Sequence, residues 1–297
     1  MLYCEAVLPR AGLGNRLFPW ARCRVFSFLN KVPMLSPRWS QLKIGPTLRG
    51  ETDRRLYFKL FKPGADEVRG IKRLRLQMSS KREAEDARAA ENGMTVVKVF
   101  TGEQDRFQTL NGWDQFLHNE LRAITKERWL RAAERVNNVS IGIHVRMGDF
   151  SPTESDAELA LPQRRVPLSW FADSLRVIRE AVGSSIPAIV VSDGNEGDLR
   201  DLLKEERVSL VRTGSAIGDL LVLAKSKSLI ASAGSSFGAW AAFLGQMPSI
   251  THASQSFDWF NLKNRKNYYV GAFDPTSPDR LFLDQVRRVF SEQPANN

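Results

Sequence analysis

The chain has 297 residues, of which 42% are hydrophobic and 26% are charged, and both fractions are close to the averages of globular proteins. This composition excludes a disordered chain, a collagen-like repeat and a coiled-coil rod. The length fits two domains of ordinary size or one large α/β unit. A formal net charge of +10 indicates an anionic partner: a nucleic acid, a phosphorylated ligand or an acidic membrane face.

The cysteines and the apolar segments bear on where the protein works. Cys4 and Cys23 are too few for a disulfide framework, and no Cys or His spacing is typical of a metal site. The chain does not open with a basic segment followed by an apolar run, and no apolar stretch reaches about 18 residues. We therefore expect a cytoplasmic protein in a reducing compartment, without a secretion signal or a membrane span.

The first thirty residues predict a strand, a turn and a helix. Residues 2–8 favour a strand, residues 9–14 have turn chemistry, and Asn15 is positioned to cap the helix. Gly12 and Gly14 would let backbone amides approach a ligand, and the following helix N-terminus favours an anion. An ordinary βα turn explains the same residues, because neither a Walker loop nor a complete dinucleotide fingerprint is present.

From residue 31 to about 115, Pro and Gly recur, which favours short strands and loops over long helices. We interpret the basic stretch 69–77 as an edge strand or surface loop, with contact to an anionic surface as the alternative. An apolar stripe predicts one helix over 112–136. Asn137 and Asn138 end it, so we place a domain boundary near residue 140.

Beyond this boundary, strands and helices alternate at short intervals, as in a parallel sheet with helices on its faces. The predicted strands are 139–145, 187–192, 208–211 and 228–231, and the predicted helices are 167–182, 196–206, 219–224 and 237–244. We therefore expect an N-terminal α/β domain over 1–140 and a C-terminal Rossmann-like domain over 141–297.

The first of these strands ends in residues suited to an anion. On a strand, His144 and Arg146 share one face, so an imidazole and a guanidinium are presented together. A guanidinium fork matches phosphate oxygens, and Asp149 would orient it or face the ligand. A structural ion pair explains the same residues.

Two further strands also end in polar residues, at the edge where parallel sheets bind ligands. Asp193 follows the second strand and is a candidate for ligand binding. The alternative interpretation is an aspartate that forms a turn or caps a helix. Ser235 and Ser236 follow the fourth strand and precede Phe237 at the start of a helix. Hydroxyls and amides there suit a phosphate, although ordinary N-capping also uses serine.

Taken in order, these motifs resemble those of the α-1,2-fucosyltransferase family, glycosyltransferase family 11, within the fucosyltransferase superfamily. The resemblance is carried by GLGNRLFPWA at 12–21, HVRMGDF at 144–150, VVSDG at 190–194, and DLLVLAKSKS at 219–228 leading into SSFGAWAAFLG at 235–245. The family patterns are GxGNQxxxQYA, HxRRGDY, SDD, and DLxLM followed by SSFSWWAA. Arg16, Met147 and Gly194 therefore stand where the family has Gln, a second Arg and a second Asp.

The resemblance implies an α/β fold of two Rossmann-like domains facing a cleft, the glycosyltransferase B type. It implies inverting transfer of fucose from GDP-fucose to a glycan hydroxyl, in the synthesis of a cell-surface polysaccharide or lipopolysaccharide. The acceptor would bind on the side of the N-terminal domain. Catalytic roles fall on His144, Arg146 and Asp149, and donor binding falls on Gly12, Gly14, Asn15, Asp193, Ser235, Ser236 and Phe237.

We expect no cofactor and no metal ion, because the sequence has no Asp-x-Asp motif. Arg146, the loop 12–15 and the helix end at Ser235 and Ser236 would supply positive potential to the leaving diphosphate instead. The expected partners are a nucleotide-sugar donor, a glycan acceptor and an anionic membrane surface at the inner face of the cell membrane.

Two rival functions stay open. Met147 and Gly194 depart from the family pattern, which would suit a catalytically inactive protein that binds sugar nucleotides. The positive charge would also suit a basic nucleic-acid-binding protein. The sequence has no helix-turn-helix signature, zinc spacing or RNA-recognition motif, so we expect no nucleic-acid partner.

Overall fold

The structure is a computed structural model of the chain, and it describes residues 1–39, 57–87, 94–153, 156–161, 163–254, 257–262 and 268–291. These residues form two compact units, and the division falls between Glu127 and Arg128. The boundary expected from the sequence lay near residue 140, so residues 128–140 group with the second unit. Among the described helices, none combines the length and apolar composition that a membrane span requires.

The first unit is a four-stranded parallel sheet with helices. Its strands are β1 (Leu2–Val7), β2 (Met34–Leu35), β3 (Lys81–Ala84) and β4 (Val96–Thr101), in the order β2-β1-β4-β3. Its helices are α1 (Leu13–Asn30), α2 (Gly70–Ser79) and α3 (Asp114–Ile124), with a 3-10 helix at Tyr57–Lys59. β1 and β4 pair along their whole length, from Leu2 beside Val96 to Val7 beside Thr101.

The predicted strand and helix at the start of the chain are confirmed, but the helix begins earlier than expected. Gly12 is the N-cap of α1, in an extended conformation. Asn15, the expected cap, therefore lies inside the first turn of α1. Part of the segment expected to hold short strands and loops, residues 40–56 and 88–93, lies outside the described residues.

The single helix predicted over 112–136 is wrong, because the chain forms two helices there, α3 and α4 (Glu127–Glu134). At the break, Thr125 Oγ1 donates to Leu121 O at 2.7 Å. The backbone beside it bonds to another segment, since Lys62 N donates to Ile124 O at 2.7 Å and Lys126 N donates to Leu60 O at 3.0 Å. These bonds replace the helical ladder at this point.

The expectation of a strand or loop over 69–77 is also wrong, because most of this stretch forms α2. Two polar residues of α2 hydrogen-bond to the sheet: Arg73 Nη2 donates to Glu5 Oε1 of β1 at 3.0 Å, and Gln77 Nε2 donates to the same oxygen. Arg82 Nη1 lies 2.7 Å from Glu5 Oε2. Arg73 and Gln77 share the inward face of α2 with Leu76, so the apolar residues of this helix do not form the single inward stripe that predicts a helix from sequence.

The second unit is a six-stranded sheet in which all neighbouring strands are parallel. Its strands are β5 (Ile141–Val145), β6 (Ala188–Ser192), β7 (Val208–Leu210), β8 (Ser228–Ala231), β9 (Ser249–His252) and β10 (Val270–Phe273). Its helices after α4 are α5 (Asp156–Leu159), α6 (Leu168–Val182), α7 (Arg200–Leu203), α8 (Ala216–Ala224), α9 (Ser236–Gly245) and α10 (Arg280–Ser291), with a 3-10 helix at Phe257–Phe260.

The four strands predicted for this unit are confirmed, as are the helices at α6, α8 and α9. The helix predicted over 196–206 is reduced to the four residues of α7. β9, β10 and α10 were not predicted.

The strand order β10-β9-β8-β5-β6-β7 places the site. The chain runs outward from β5 to β7, returns to β8 beside β5, and runs outward again on the other side. This is the doubly wound arrangement, whose order reverses between β5 and β8. Apolar side chains such as Ile143 and Ile230 fill the centre of the sheet and are fully buried. In such sheets a crevice opens at the carboxyl ends of the two strands where the order reverses.

Candidate functional site

The candidate site lies at the carboxyl ends of β5, β6 and β8, where the strand order reverses. β5 ends at Val145 and leads to Arg146, β6 ends at Ser192 and leads to Asp193, and β8 ends at Ala231 and leads to Ser232. The sheet therefore brings together three of the segments that the sequence singled out.

The Arg146 guanidinium is the centre of this site and lies between two carboxylates. Nη1 donates to Asp193 and Nη2 donates to Asp149, so both ends of the fork are held. The backbone is fixed as well, because Arg146 N donates to Ser232 Oγ at 3.0 Å and Met147 N donates to Asp193 Oδ1 at 2.8 Å. Asp193, predicted to bind the donor, thus holds the Arg146 segment with both of its oxygens.

The two carboxylates differ in exposure, and the difference bears on what Arg146 can bind. The side chain of Asp149 is 37% exposed, whereas that of Asp193 is 13% exposed. One guanidinium between two carboxylates leaves this group with a net negative charge. A ligand that took the place of either carboxylate on Arg146 would reach Asp149 more easily, because Asp149 is the more exposed of the two.

His144 is buried beneath this group and is neutral. Its ring stacks on Phe237 of α9, with 5.4 Å between the ring centroids. Burial and, to a smaller extent, the Arg146 charge lower the pKa of His144 to about 4, against the opposing effect of the Asp193 carboxylate. Nδ1 is buried without a hydrogen-bond partner. A Cβ on Gly238 would lie 2.9 Å from Nδ1, so a glycine at this position lets α9 pack against the imidazole.

The start of α9 gives the site its helix N-terminus. Ser235 is the N-cap residue of α9, yet its side chain makes no capping hydrogen bond. Gly234 before it has φ +69°, a conformation that side chains other than glycine rarely adopt. The N-terminal amides of a helix carry partial positive charge, so Ser235 and Ser236 lie where an anion is favoured.

Two arginines at the site were not predicted. Arg165 Nε donates to Met147 O at 3.1 Å and to Phe150 O at 2.8 Å, under the turn that carries Asp149. Arg212 Nη2 donates to Gly194 O at 2.8 Å, beside Asp193. Within the described part of the chain, no carboxylate pairs with either guanidinium. Neither arginine lies in a motif, and both reach the site through loops, so the sequence gives no signal for them.

The other predicted donor-binding residues belong to the first unit. Gly12 caps α1, and a Cβ built on it would meet no atom within 4 Å, which leaves the helix end open. Gly14 is buried within α1, and the Asn15 side chain hydrogen-bonds to Glu103. Burial raises the pKa of the Glu103 carboxyl, against the smaller opposing effects of Arg106 and of this hydrogen bond.

Arg16 supports this loop from inside rather than facing a ligand. Its side chain is fully buried and its Cζ lies 4.6 Å from the centre of the Tyr57 ring. Nε donates to Ala11 O at 3.1 Å and Nη1 donates to Trp39 O at 2.5 Å. Burial lowers the pKa of the guanidinium. Arg16 therefore ties the glycine loop to the segment at Trp39.

The assembled group in the second unit is suited to binding a phosphorylated ligand. It offers a guanidinium fork, a helix N-terminus with two serines and two further arginines at one sheet edge. Among the residues that the structure describes, no group of three or more His, Cys, Asp or Glu side chains is arranged to hold a metal ion.

Comparisons with known proteins identify the family of the chain and similar folds. A model of glycosyl transferase family 11 matches residues 101–271, which is more than half of the chain. The match includes Arg146 and the start of α9 and leaves out the loop 12–15. No curated protein sequence matches the chain significantly.

Solved structures of fucosyltransferases resemble the chain at low sequence identity. NodZ alpha-1,6-fucosyltransferase co-crystallized with GDP has a TM-score of 0.53 at 16% identity, over 85% of this chain and 95% of that one. POFUT1 in its apo form has a TM-score of 0.48 at 11% identity, over 84% of this chain and 97% of that one. A variant of FUT1 from Arabidopsis thaliana in complex with GDP has a TM-score of 0.48 at 15% identity, over 86% of this chain and 72% of that one.

The likeness to NodZ concerns the fold. It agrees with the predicted α/β fold of the glycosyltransferase B type, as do the two parallel sheets. The family match identifies the family of the chain, which a likeness in fold at 16% identity does not. Because the family model covers more than half of its length, the chain belongs to glycosyltransferase family 11.

Proposed function

We propose that the protein transfers fucose from GDP-fucose to a glycan hydroxyl, with inversion at the anomeric carbon. The observation that carries the proposal is the Arg146 fork, held between Asp193 and Asp149 at the reversal of a doubly wound sheet, in a chain of glycosyltransferase family 11. A guanidinium in this position is suited to the diphosphate of a nucleotide sugar.

The reaction would break the bond between the anomeric carbon and the diphosphate while the acceptor oxygen bonds to that carbon, and the acceptor hydroxyl proton would pass to the departing diphosphate or to solvent. Negative charge builds on the leaving diphosphate, and donors placed beforehand around it stabilise the transition state. Arg146 and the α9 N-terminus with Ser235 and Ser236 would meet this charge, with Arg165 and Arg212 adding positive potential nearby. Asp149 would release Arg146 as the donor binds.

The roles of the other predicted residues follow from their contacts. Asp193 keeps Arg146 in place and is a positioning residue. Neutral His144, stacked on Phe237, would shape the wall of the donor site. Gly12, Gly14 and Asn15 stay predicted donor-binding residues, in the loop of the first unit. Asp149 pairs with a guanidinium, which favours an orienting role over that of a general base.

The linkage, the acceptor and the compartment belong to the proposal as well. The resemblance to α-1,2-fucosyltransferases favours an α-1,2 linkage to a galactoside, in a cell-surface polysaccharide or lipopolysaccharide. A cytoplasmic protein at the inner face of the membrane would meet lipid-linked forms of such glycans. The net charge of +10 favours an anionic membrane face and the anionic donor, and no cofactor is required.

A second candidate is a protein that binds the sugar nucleotide without turning it over. It is favoured by Met147 and Gly194, which stand where the family pattern has Arg and Asp. Both candidates predict donor binding, and turnover separates them.

The test is a thermal-shift series followed by a turnover assay. GDP and GDP-fucose should raise the melting temperature far more than UDP and UDP-sugars, since a ligand at about 100 times its Kd stabilises the fold by roughly 2.7 kcal/mol. Release of GDP from GDP-fucose in the presence of a galactoside acceptor should follow. Equal stabilisation by UDP-sugars would remove the donor assignment, and binding without GDP release would favour the second candidate.

A further inference from the structure

The outward face of α2 carries large apolar side chains that nothing in the described structure covers. Ile71 is 72% exposed, Leu74 is 50% exposed and Met78 is 80% exposed. Ten large hydrophobic side chains are exposed among the described residues, and three of them lie on this one helix. They recur at i, i+3 and i+7, which places them on a single side.

The opposite side of α2 is fixed to the first unit. Arg73 and Gln77 both donate to Glu5, and Leu76 packs against the small apolar cluster beside β1. The helix is therefore held with Ile71, Leu74 and Met78 turned away from the sheet.

The surroundings of this apolar stripe are strongly basic. Residues 68–82 contain six Lys and Arg and no acidic residue. Arg73 and Arg82 pair with Glu5, and Lys81 pairs with Glu83. Lys72 and Arg75 lie on the exposed part of α2 and form no ion pair with a carboxylate of the described residues.

An apolar stripe surrounded by cations favours one kind of partner. A second copy of the chain, docked on the same face, would set the cations of one helix against those of the other. A nucleic acid would use the cations and leave the apolar stripe in water. A bilayer with anionic lipids accommodates both, because apolar side chains enter the boundary of headgroups and acyl chains while Lys and Arg stay with the phosphates.

We propose that the outward face of α2, formed by Ile71, Lys72, Leu74, Arg75 and Met78, is the surface by which the protein binds an anionic membrane. The purpose of the contact rests on the proposed function, since it would bring the enzyme to membrane-bound acceptors. The contact itself needs neither donor nor acceptor.

The experiment is co-sedimentation of the full chain with vesicles, either of phosphatidylcholine alone or with about a third phosphatidylglycerol. The wild type should bind the anionic vesicles, bind neutral ones at least about tenfold more weakly, and be released at about 0.5 M salt. The triple variant Ile71→Ser, Leu74→Ser, Met78→Ser and the double variant Lys72→Gln, Arg75→Gln should each lower the affinity by on the order of tenfold.

Matched controls are Leu281→Ser, which also removes an exposed leucine (55% exposed), and Lys204→Gln, which removes an exposed lysine; both should bind like the wild type. Circular dichroism and urea unfolding check that each variant folds. Absence of salt-sensitive binding, or undiminished binding by the triple variant, would overturn the proposal. So would a wild-type dimer that the triple variant converts to a monomer.

The failures of the two proposals are distinguishable. Turnover of GDP-fucose without vesicle binding would overturn the membrane surface alone. Vesicle binding through α2 without turnover would overturn the enzymatic proposal and leave the surface supported.

Discussion

The side chain of Met147 fills the space that a side chain on Gly194 would need. A Cβ built on Gly194 would lie 2.8 Å from Cγ and 3.1 Å from Cβ of Met147. These are two of the positions at which the chain departs from the family pattern, and here they are in contact. The contact adjoins the site, because Met147 N donates to Asp193 and Arg212 donates to Gly194 O.

We expect Gly194→Ala to lower kcat by about tenfold or more, because the new methyl group displaces Met147 and with it the hydrogen bond from Met147 N to Asp193, the carboxylate that positions Arg146. Adding Met147→Ala removes the closer of the two contacts and should restore much of the loss. A double-mutant cycle on kcat should then give a coupling energy of about 0.5 to 3 kcal/mol. Gly197→Ala is the control, since its Cβ would meet only the Asn195 side chain. Additive effects would show that the pair is not coupled.

Arg146→Lys should lower turnover by on the order of 10²- to 10³-fold while the protein stays folded, because lysine keeps the charge and loses the fork. The matched control is Arg176→Lys in α6. Arg176 also lies between two carboxylates, Asp173 at 2.7 Å and Glu205 at 2.5 Å, but on the surface. Steady-state kinetics and GDP binding of both variants test the prediction. Near-normal turnover by Arg146→Lys would remove Arg146 from the site.

The buried imidazole should make stability depend on pH. The unfolded chain protonates His144 below about pH 6.5, whereas in the folded protein its pKa is about 4. Between these values the unfolded state binds more protons, so the free energy of unfolding falls as the pH is lowered, by at most about 1.4 kcal/mol per pH unit. Urea unfolding of wild type and His144→Gln at several pH values measures this. The variant should show a shallower loss, and parallel curves would contradict the assignment.

Arg16→Gln should destabilise the first unit, although it restores the residue of the family pattern. Glutamine is too short to replace both carbonyl bonds and the contact with Tyr57. We expect a loss of about 2 kcal/mol or more in the free energy of unfolding, since hydrogen bonds from charged groups contribute about 1.5 to 3 kcal/mol each. Urea denaturation is the measurement. Unchanged stability would show that Arg16 does not tie the loop.

Turnover should persist in EDTA, because the positive charge proposed to meet the leaving diphosphate comes from Arg146 and the start of α9. Assays with and without added manganese or magnesium should give the same kcat. Full loss of turnover in EDTA, restored by adding the ion back, would contradict the proposed set of charges.

Much of the second unit could be predicted from sequence because its signals are local. The strands of a buried parallel sheet are short apolar runs, and each of β5, β6 and β8 is followed by a motif. The contacts among those motifs could not be predicted. Nothing in the sequence states that Asp193 would turn to Arg146, or that Arg165 and Arg212 would reach the same edge, because these contacts depend on how the loops fold.

The first unit was harder because its polar residues work inside the fold. Arg16 directly follows the predicted ligand loop 12–15 and carries a charge, yet its side chain is fully buried. In α2 the inward residues Arg73 and Gln77 accompany Leu76, whereas Ile71, Leu74 and Met78 point outward. The apolar residues therefore lie on both sides of the helix, and a prediction from one apolar stripe fails. A prediction that takes every polar residue to be exposed fails where a polar side chain hydrogen-bonds to a buried partner.

The doubly wound strand order also determines the stage of folding at which the contacts of the site form. The bond from Arg146 to Asp193 joins residues 47 apart, and that from Arg146 N to Ser232 joins residues 86 apart. Contacts of this separation form late, because a long loop must close before they are gained. A nascent chain that ends before β8 contains Arg146 and Asp193 but lacks Ser232 and the start of α9. Donor affinity during refolding would therefore report insertion of β8 beside β5, rather than the earlier pairing of β5 with β6.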